Sequence, residues 1–433
     1  MFVYQRSSYD PYAQRDVDKN ISNIGAFATI VKSVVGTGLL ALPMALQWSG
    51  IILGVMLLIG AMMLQTHGLQ LLIVCMVECA RRQNVAYVNY PDSVVFCFSQ
   101  GPECMKHWPV IIARVVDFFI SFSHYGVCVI YIVFVSLNIK HIMDQYVKAM
   151  DERYYIAGIG LILIPLFMIR HLRYLVCLSL LGNALTYFGS FLILGYLIKD
   201  LPELSDRKLF GEPVQFPLYL DIILFTMASV GVMLVIEAKM KSPETCIGCF
   251  GLINMAMLFI LFTYITFGVL GYWKYGSEVA ESVTLSLPPE EVLSQFIKLL
   301  FAFDILFSYP LSGYVVIDII MNHYWNKNGD LGQPIIKEIL LRIIFVLAST
   351  LTAVAFPMLG TLMAFVGVFC IPLINLVFPA VMDLCLLFPP EYSYGTLRWK
   401  LIKDWFLIII GIVIFIPGSI AVLLSISKQM ISG

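Results

Sequence analysis

The apolar positions of the chain fall in long unbroken runs and do not alternate with polar ones. Alternation with a period of two marks half-buried strands, and a membrane β-barrel shows it in stretches of about ten residues. A continuous run of about 20 apolar residues is long enough to cross the hydrocarbon core as a helix. Eleven such spans are predicted, over 24–48, 51–77, 110–135, 156–169, 175–198, 218–237, 252–273, 292–321, 339–356, 359–387 and 405–425. The fourth is short and depends on its neighbours for support. The connections are too short to hold a separate folded domain. The expected organisation is an N-terminal tail over 1–23, a transmembrane domain over 24–426 and a short C-terminal tail over 427–433. The polar tail and the length of the first apolar run argue against a cleaved signal peptide.

Composition narrows the class further. The 433 residues are 60% hydrophobic and 13% charged, with a formal net charge of −1. Globular chains are roughly 45–50% apolar and about 25% charged. High hydrophobicity excludes a disordered chain, and near neutrality excludes a generic nucleic-acid binder. With an even split of the loops, fifteen Lys and Arg fall on the side of the N-terminus and eight on the other. Positive residues collect on the cytoplasmic side, so the N-terminus is expected to be cytoplasmic. The ten cysteines lie in spans or on that same side, so no disulfide framework is implied. Cys246 and Cys249 form a lone CxxC without a second pair.

Two spans are poor continuous helices. The first carries Val34-Val35-Gly36-Thr37-Gly38-Leu39-Leu40-Ala41-Leu42-Pro43. Glycine costs a helix about 1 kcal/mol against alanine and proline about 3 kcal/mol. In lipid a break is tolerated only where the freed backbone groups face protein or a water-filled cavity. The exposed amides of the second half-helix, at Gly36, Thr37, Gly38 and Leu39, can hold a carboxylate, while freed carbonyls take an ammonium or a cation. Close helix packing is the plainer reading of the same glycines. The sixth span carries Ala228-Ser229-Val230-Gly231, again small residues near its middle. Five spans from the first break to the second make two units of opposite orientation, repeat one about 24–198 and repeat two about 218–387, with an eleventh helix over 405–425. Inverted repeats that open on interrupted helices place a substrate site near the midplane.

Gly36-Thr37-Gly38-Leu39-Leu40-Ala41-Leu42-Pro43 resembles the first-helix signature of the amino acid/auxin permease family, and of its animal proton-coupled amino acid transporter branch in particular. Asp117-Phe118-Phe119, with Gly126-Val127-Cys128, Tyr131, Asn138 and Lys140, resembles the third helix of that branch. Glu237-Ala238-Lys239-Met240-Lys241-Ser242-Pro243 is similar to its sixth-helix exit, and Phe365-Val366-Gly367 through Asn375-Leu376-Val377-Phe378-Pro379-Ala380 to its tenth helix. The resemblance implies an all-α, eleven-helix LeuT-type fold and carriage of small amino acids. The chain departs from the pattern at Ala228, where the family usually has an acid, at Ser229 and Val235, where glycine and proline are common, and in its lack of paired extracellular cysteines.

Ionisable groups inside spans are costly and are functional candidates by default. His67 falls where the family carries a histidine assigned to proton coupling, and a neutral packed imidazole is the plainer alternative. His124, in the third span, is a second relay, a polar substrate wall or a packed histidine. Arg114 and Asp117 are spaced i, i+3, which allows an ion pair closing the inner side. Glu237, beside Lys239 and Lys241, is a gate partner or an interfacial charge. Lys32 either snorkels or pairs with such an acid, and Asp304 can help to coordinate a cation.

These features lead to the expectation of a secondary active transporter of small neutral amino acids, not an enzyme, needing no cofactor and using a proton as coupling ion. The histidines show no HExxH pattern, and there is no Gly-x-Ser-x-Gly elbow. An amino-acid receptor or transceptor, with a signalling partner at the cytoplasmic N-terminus, and an uncoupled facilitative carrier are the alternatives. Plasma membrane and endolysosomal membrane are both compatible.

Overall fold

The computed structural model describes residues 9–15, 21–169, 172–203, 207–212, 216–228, 230–248, 250–325, 334–388 and 398–432, and nearly all of them are helical. In chain order the helices are α1 (Asn23–Val34), α2 (Thr37–Ser49), α3 (Ile51–Gln83), α4 (Tyr90–Gln100), α5 (Pro109–Met143), α6 (Glu152–Phe167), α7 (Leu172–Ile198), α8 (Phe216–Thr226), α9 (Val230–Lys239), α10 (Leu252–Tyr275), the short α11 (Val283–Ser286), α12 (Val292–Asp318), α13 (Pro334–Ala355), α14 (Leu359–Pro372), α15 (Phe378–Leu386) and α16 (Trp399–Ser432). A π-helical stretch, Ile319–Trp325, extends α12, and another, Leu373–Val377, joins α14 to α15.

Local chemistry sets the helix ends. Ser22 caps α1 by accepting from the Gly25 amide at 3.2 Å. Gly50, at φ +75°, makes the sharp turn from α2 into α3, a backbone region that side chains disfavour. Asn84 ends α3 in the left-handed conformation, while Arg81 and Arg82 in the last turn both grip Glu78, at 2.8 and 2.9 Å.

Among the described residues, eight helices are long and apolar enough to cross a membrane, or nine if the bent α1–α2 pair is one span. Eleven were expected. Of the two remaining predicted spans, α6 has 16 residues. At about 1.5 Å per residue it reaches roughly 24 Å, short of a bilayer core of about 30 Å. The other, α7, runs over Leu172–Ile198, and Ala184–Ile198 is its fully described apolar part. The all-helical, polytopic class is as predicted, and among the described residues eight or nine helices meet the length and apolarity that a span requires.

Both expected interruptions occur. α1 and α2 meet at a 48° bend at Val35 and Gly36. The second interruption separates α8 from α9 at Met227, Ala228 and residue 229; Ser229 itself lies outside the described residues. The outer surface is apolar, with Phe191, Phe262 and Leu351 each more than 70% exposed, as lipid contact requires. The interior is formed where α8 packs on α2 and α14, and where α5, α7 and α12 pack together.

Ile21, just before α1, belongs to this packing. The Ile21 amide donates to the Lys239 carbonyl at 2.8 Å, and the Lys241 amide donates back to Ile21 at 3.0 Å.

Close backbone approach is tested at Gly68, where an added Cβ would collide with the Asn375 carbonyl oxygen; Gly60, eight residues earlier, faces open space. Gly68→Ala is expected to cost about 2 kcal/mol by overpacking, seen as a lower thermal midpoint of the detergent-solubilised protein. Gly60→Ala should leave the midpoint unchanged or raise it, since helix propensity gains about 1 kcal/mol.

Candidate functional site at the paired helix breaks

A helix that stops in mid-membrane leaves its last carbonyls without intrahelical donors and the next helix's first amides without acceptors. Here the two stops are side by side. Gly38, in the first turn of α2, lies so close to Thr226, the last residue of α8, that an added Cβ would sit 2.8 Å from the Thr226 Cα. The Tyr264 hydroxyl, from α10, reaches the Val34 carbonyl at 2.8 Å and the Thr226 carbonyl at 2.7 Å. These carbonyls terminate α1 and α8. A phenol has one proton to donate, so it satisfies one of them at a time. The pair of breaks therefore keeps acceptor capacity in a buried place.

A cavity of about 50 Å³ opens at the second break. Its walls include Ser123 and His124 of α5, Ala228, Val230 and Gly231 at the break, and Ile371 of α14. Among the described residues no Asp, Glu, Lys or Arg lines it. The volume accommodates several water-sized groups. Gly231 keeps it open beside His124, whose Nε2 is 2.9 Å from where a Cβ would stand. His124 Nδ1 is buried without a hydrogen-bond partner among the described residues. Of the predicted substrate residues, Ala228, Val230 and Gly231 line this cavity; Gly36, Thr37, Gly38 and Leu39 do not, and the first break meets the second where Gly38 touches Thr226.

The structure redistributes the predicted ionic partners. Arg114 does not pair with Asp117. Arg114 points outward and Asp117 inward, where Asp117 meets His323 Nδ1 at 3.2 Å and the Tyr324 hydroxyl at 3.2 Å, both from the end of the α12 extension. The i, i+3 spacing brings two residues to one side of a helix but does not aim both at one point.

Glu237 takes neither Lys239 nor Lys241 but Arg15 of the N-terminal segment, at 2.8 Å, with Glu237 2% exposed. The Arg15 guanidinium also donates to the Ala86 carbonyl at 3.2 Å and lies over the rings of Tyr12 and Tyr87, at 4.9 and 5.4 Å. Burial, then the Glu237 charge, pushes the Tyr87 phenol up to about 12, so the ring stays neutral beneath the cation. This cluster locks the N-terminal segment onto the end of α9.

Lys32 does not snorkel. Its ammonium is held 2.7 Å from Asp304 of α12 and 2.6 Å from Thr186 of α7, and Thr186 also bonds the other Asp304 oxygen. Asp304, a candidate cation ligand, thus has a lysine as its cation. His67 stands apart from the cavity, on the face of α3 where Asp383 and Lys403 are the side chains whose charges reach it. Lys403 lies 3.0 Å from Asp383 and 2.9 Å from Asp404.

Sequence reasoning missed Tyr264, Arg15, Thr186 and Asp221. Asp221 is an acid within a predicted span, so the rule that singled out Asp304 applies to it equally. The other three are ordinary residues that each take a partner from a distant part of the chain, 71 positions away for Arg15, 154 for Thr186 and 230 for Tyr264.

Two interrupted helices packed against each other in an all-helical bundle, with a cavity at the second break, are the arrangement of a LeuT-type membrane transporter. Solved structures share this fold. One is a Na+-coupled sialic acid symporter in a substrate-bound outward-open state, with a TM-score of 0.56 at 12% identity, covering 96% of this chain and 93% of that one. Another is Mhp1 in an inward facing conformation, with a TM-score of 0.53 at 12% identity, covering 98% and 94%. The model of the transmembrane amino acid transporter protein family matches residues 19–424, and the chain belongs to that family. It is 28% identical over 426 residues to the proton-coupled amino acid transporter-like protein pathetic of Drosophila melanogaster, covering 98% of this chain and 89% of the relative. It is 26% identical over 419 residues to the amino acid transporter AVT3C of Arabidopsis thaliana, covering 92% and 89%. The protein is a multi-pass membrane transporter and not an enzyme.

Removing one partner of a buried ion pair leaves an uncompensated charge, at a cost of about 3–5 kcal/mol. Lys32→Met is expected to lose stability on that scale, while the double variant Lys32→Met, Asp304→Asn recovers much of it. Thermal unfolding of the three proteins in detergent checks this, and equal losses in the single and double variants would contradict it.

Proposed function

We propose that the protein carries a small neutral amino acid across the membrane by alternating access around the paired breaks, in symport with a proton. The observation that carries this reading is the cavity at the second break, small and lined without any charged side chain. A charged substrate side chain would find no counter-charge there, and a bulky one would find no room. The amino acid's ammonium suits the carbonyls that Tyr264 cannot satisfy together, those of Val34 and Thr226. Its carboxylate suits the first-turn amides of α2, at Thr37 to Leu39, in a state where the two breaks part at the Gly38–Thr226 contact. His124 supplies a polar atom to the wall.

The Arg15–Glu237 lock closes the N-terminal end of the pathway by holding α9 to the segment before α1. Movement of α9 on substrate binding would release that segment, and this contact also favours the receptor reading, in which the freed N-terminus meets a signalling partner. Proton coupling is supported by the description of the Drosophila relative. The excess of positive residues supports a cytoplasmic N-terminus, in the plasma membrane or the endolysosomal membrane.

Uptake of labelled alanine, glycine and proline into proteoliposomes, with external pH either mildly acidic or slightly alkaline, tests the reading. Saturable uptake that is faster from the acidic side and acidifies the lumen is expected. Absence of saturable uptake of any amino acid under both conditions would contradict it. Gly38→Leu, whose side chain would wedge the α2–α8 contact apart, is expected to abolish uptake in protein that still reaches the membrane.

A further inference from the structure

Asp221 sits on α8, one turn and a half before that helix stops at Thr226, and it is 1% exposed. Its Oδ2 is buried without a hydrogen-bond partner, and no ion pair reaches the carboxyl among the described residues. Two glycines frame it. A Cβ on Gly367 of α14 would collide with the Asp221 backbone carbonyl, and a Cβ on Gly418 of α16 would stand 3.0 Å from Asp221 Oδ1. The acid is therefore clamped in the seam between α8, α14 and α16.

The helices packed on α8 are α2, α3, α14 and α16. α2 has no titratable side chain and α14 has only Cys370. α3 carries His67, Cys75, Glu78, Cys79, Arg81 and Arg82, and α16 carries Lys400, Lys403, Asp404 and Lys428. Glu78 is taken by the two arginines, and Lys403 by Asp383 and Asp404. Among the described residues, none of these groups is within hydrogen-bond or ion-pair distance of Asp221.

An ionised carboxylate enclosed in this way without a counter-charge is strongly disfavoured, and the group takes up a proton instead. We propose that Asp221 is a proton-binding site, and that a proton must occupy it for α8 to close against α14 and α16. This inference rests on the proton-coupled reading above and names the group that holds the proton. α8 begins at the end of the bundle away from the Arg15–Glu237 lock, so water on that side reaches the seam when it opens. The carboxylate takes one proton there and becomes a neutral carboxylic acid. α8 then closes, and the acid returns to carboxylate once the transporter has opened to the other side and water reaches it. The acid missing at Ala228 is thus replaced in function by one placed earlier on the same broken helix.

A one-unit pH gradient drives about tenfold accumulation of a neutral substrate per coupled proton. In proteoliposomes, Asp221→Asn, which imitates the protonated acid, is expected to keep amino-acid exchange in the absence of a gradient and to lose the pH-driven accumulation. Asp221→Glu, which restores a titratable carboxyl, is expected to regain it. An Asn variant that still accumulates substrate as the unaltered protein does would overturn the proposal. Infrared spectroscopy supplies a readout independent of transport. The carboxylic-acid C=O band at neutral pH should be weaker in Asp221→Asn than in the unaltered protein, and identical bands would overturn the assignment. Should the unaltered protein show no pH-driven accumulation, the coupling reading fails, and the infrared comparison still decides the proton site.

Discussion

The constraint on which this molecule depends is that a backbone carbonyl or amide cannot be left bare in lipid. A helix satisfies every such group except at its ends. By stopping two helices in the middle of the bundle, the chain creates polar groups where the surroundings are least able to hydrate them. It then answers them from within. Tyr264 spans the carbonyl ends of α1 and α8, and Gly38 allows the backbones of the two breaks to touch. Because the single phenolic proton cannot serve both carbonyls, this repair is incomplete, and the remaining acceptor capacity is what a substrate ammonium can use.

Charge is handled by the same logic. Most buried acids in the bundle have a cation beside them: Asp304 has Lys32, Glu237 has Arg15, and Asp383 and Asp404 share Lys403. These pairs also tie together elements that a transport cycle must move. Lys32 joins the first half of the first broken helix to α7 and α12, and Arg15 joins the N-terminal segment to the second half of the other broken helix. Breaking either pair would leave a buried charge unpaired, so in the proposed cycle each would serve as a latch. Among the described residues Asp221 has no such partner, and this sets it apart from these pairs.

The features legible in the sequence were those carried by composition and local order. Long apolar runs predicted membrane helices, and Gly36-Thr37-Gly38 predicted the first break to within a residue. The second break was placed at Ala228 by its small residues and by the spacing of five spans. Partnerships were not legible. Lys32 and Asp304 are 272 positions apart, and Arg15 and Glu237 are 222 apart. Arg114 and Asp117, the pair that spacing did suggest, fail to meet because a helix turns successive side chains to different surroundings. The short α6 shows the complementary case. Its length says that it cannot span alone, while its neighbours decide how it is held, for example through the Arg342 donation to the Phe167 carbonyl at 2.8 Å.

In the proposed cycle the two breaks form a single substrate site. The most direct test is a cryo-electron-microscopy structure of the protein with alanine bound. Density for the ligand is expected between the breaks, its ammonium within hydrogen-bond reach of the Val34 or Thr226 carbonyl and its carboxylate on the amides of Thr37 to Leu39. Alanine bound elsewhere, with the Gly38–Thr226 contact and both Tyr264 hydrogen bonds unchanged, would contradict it.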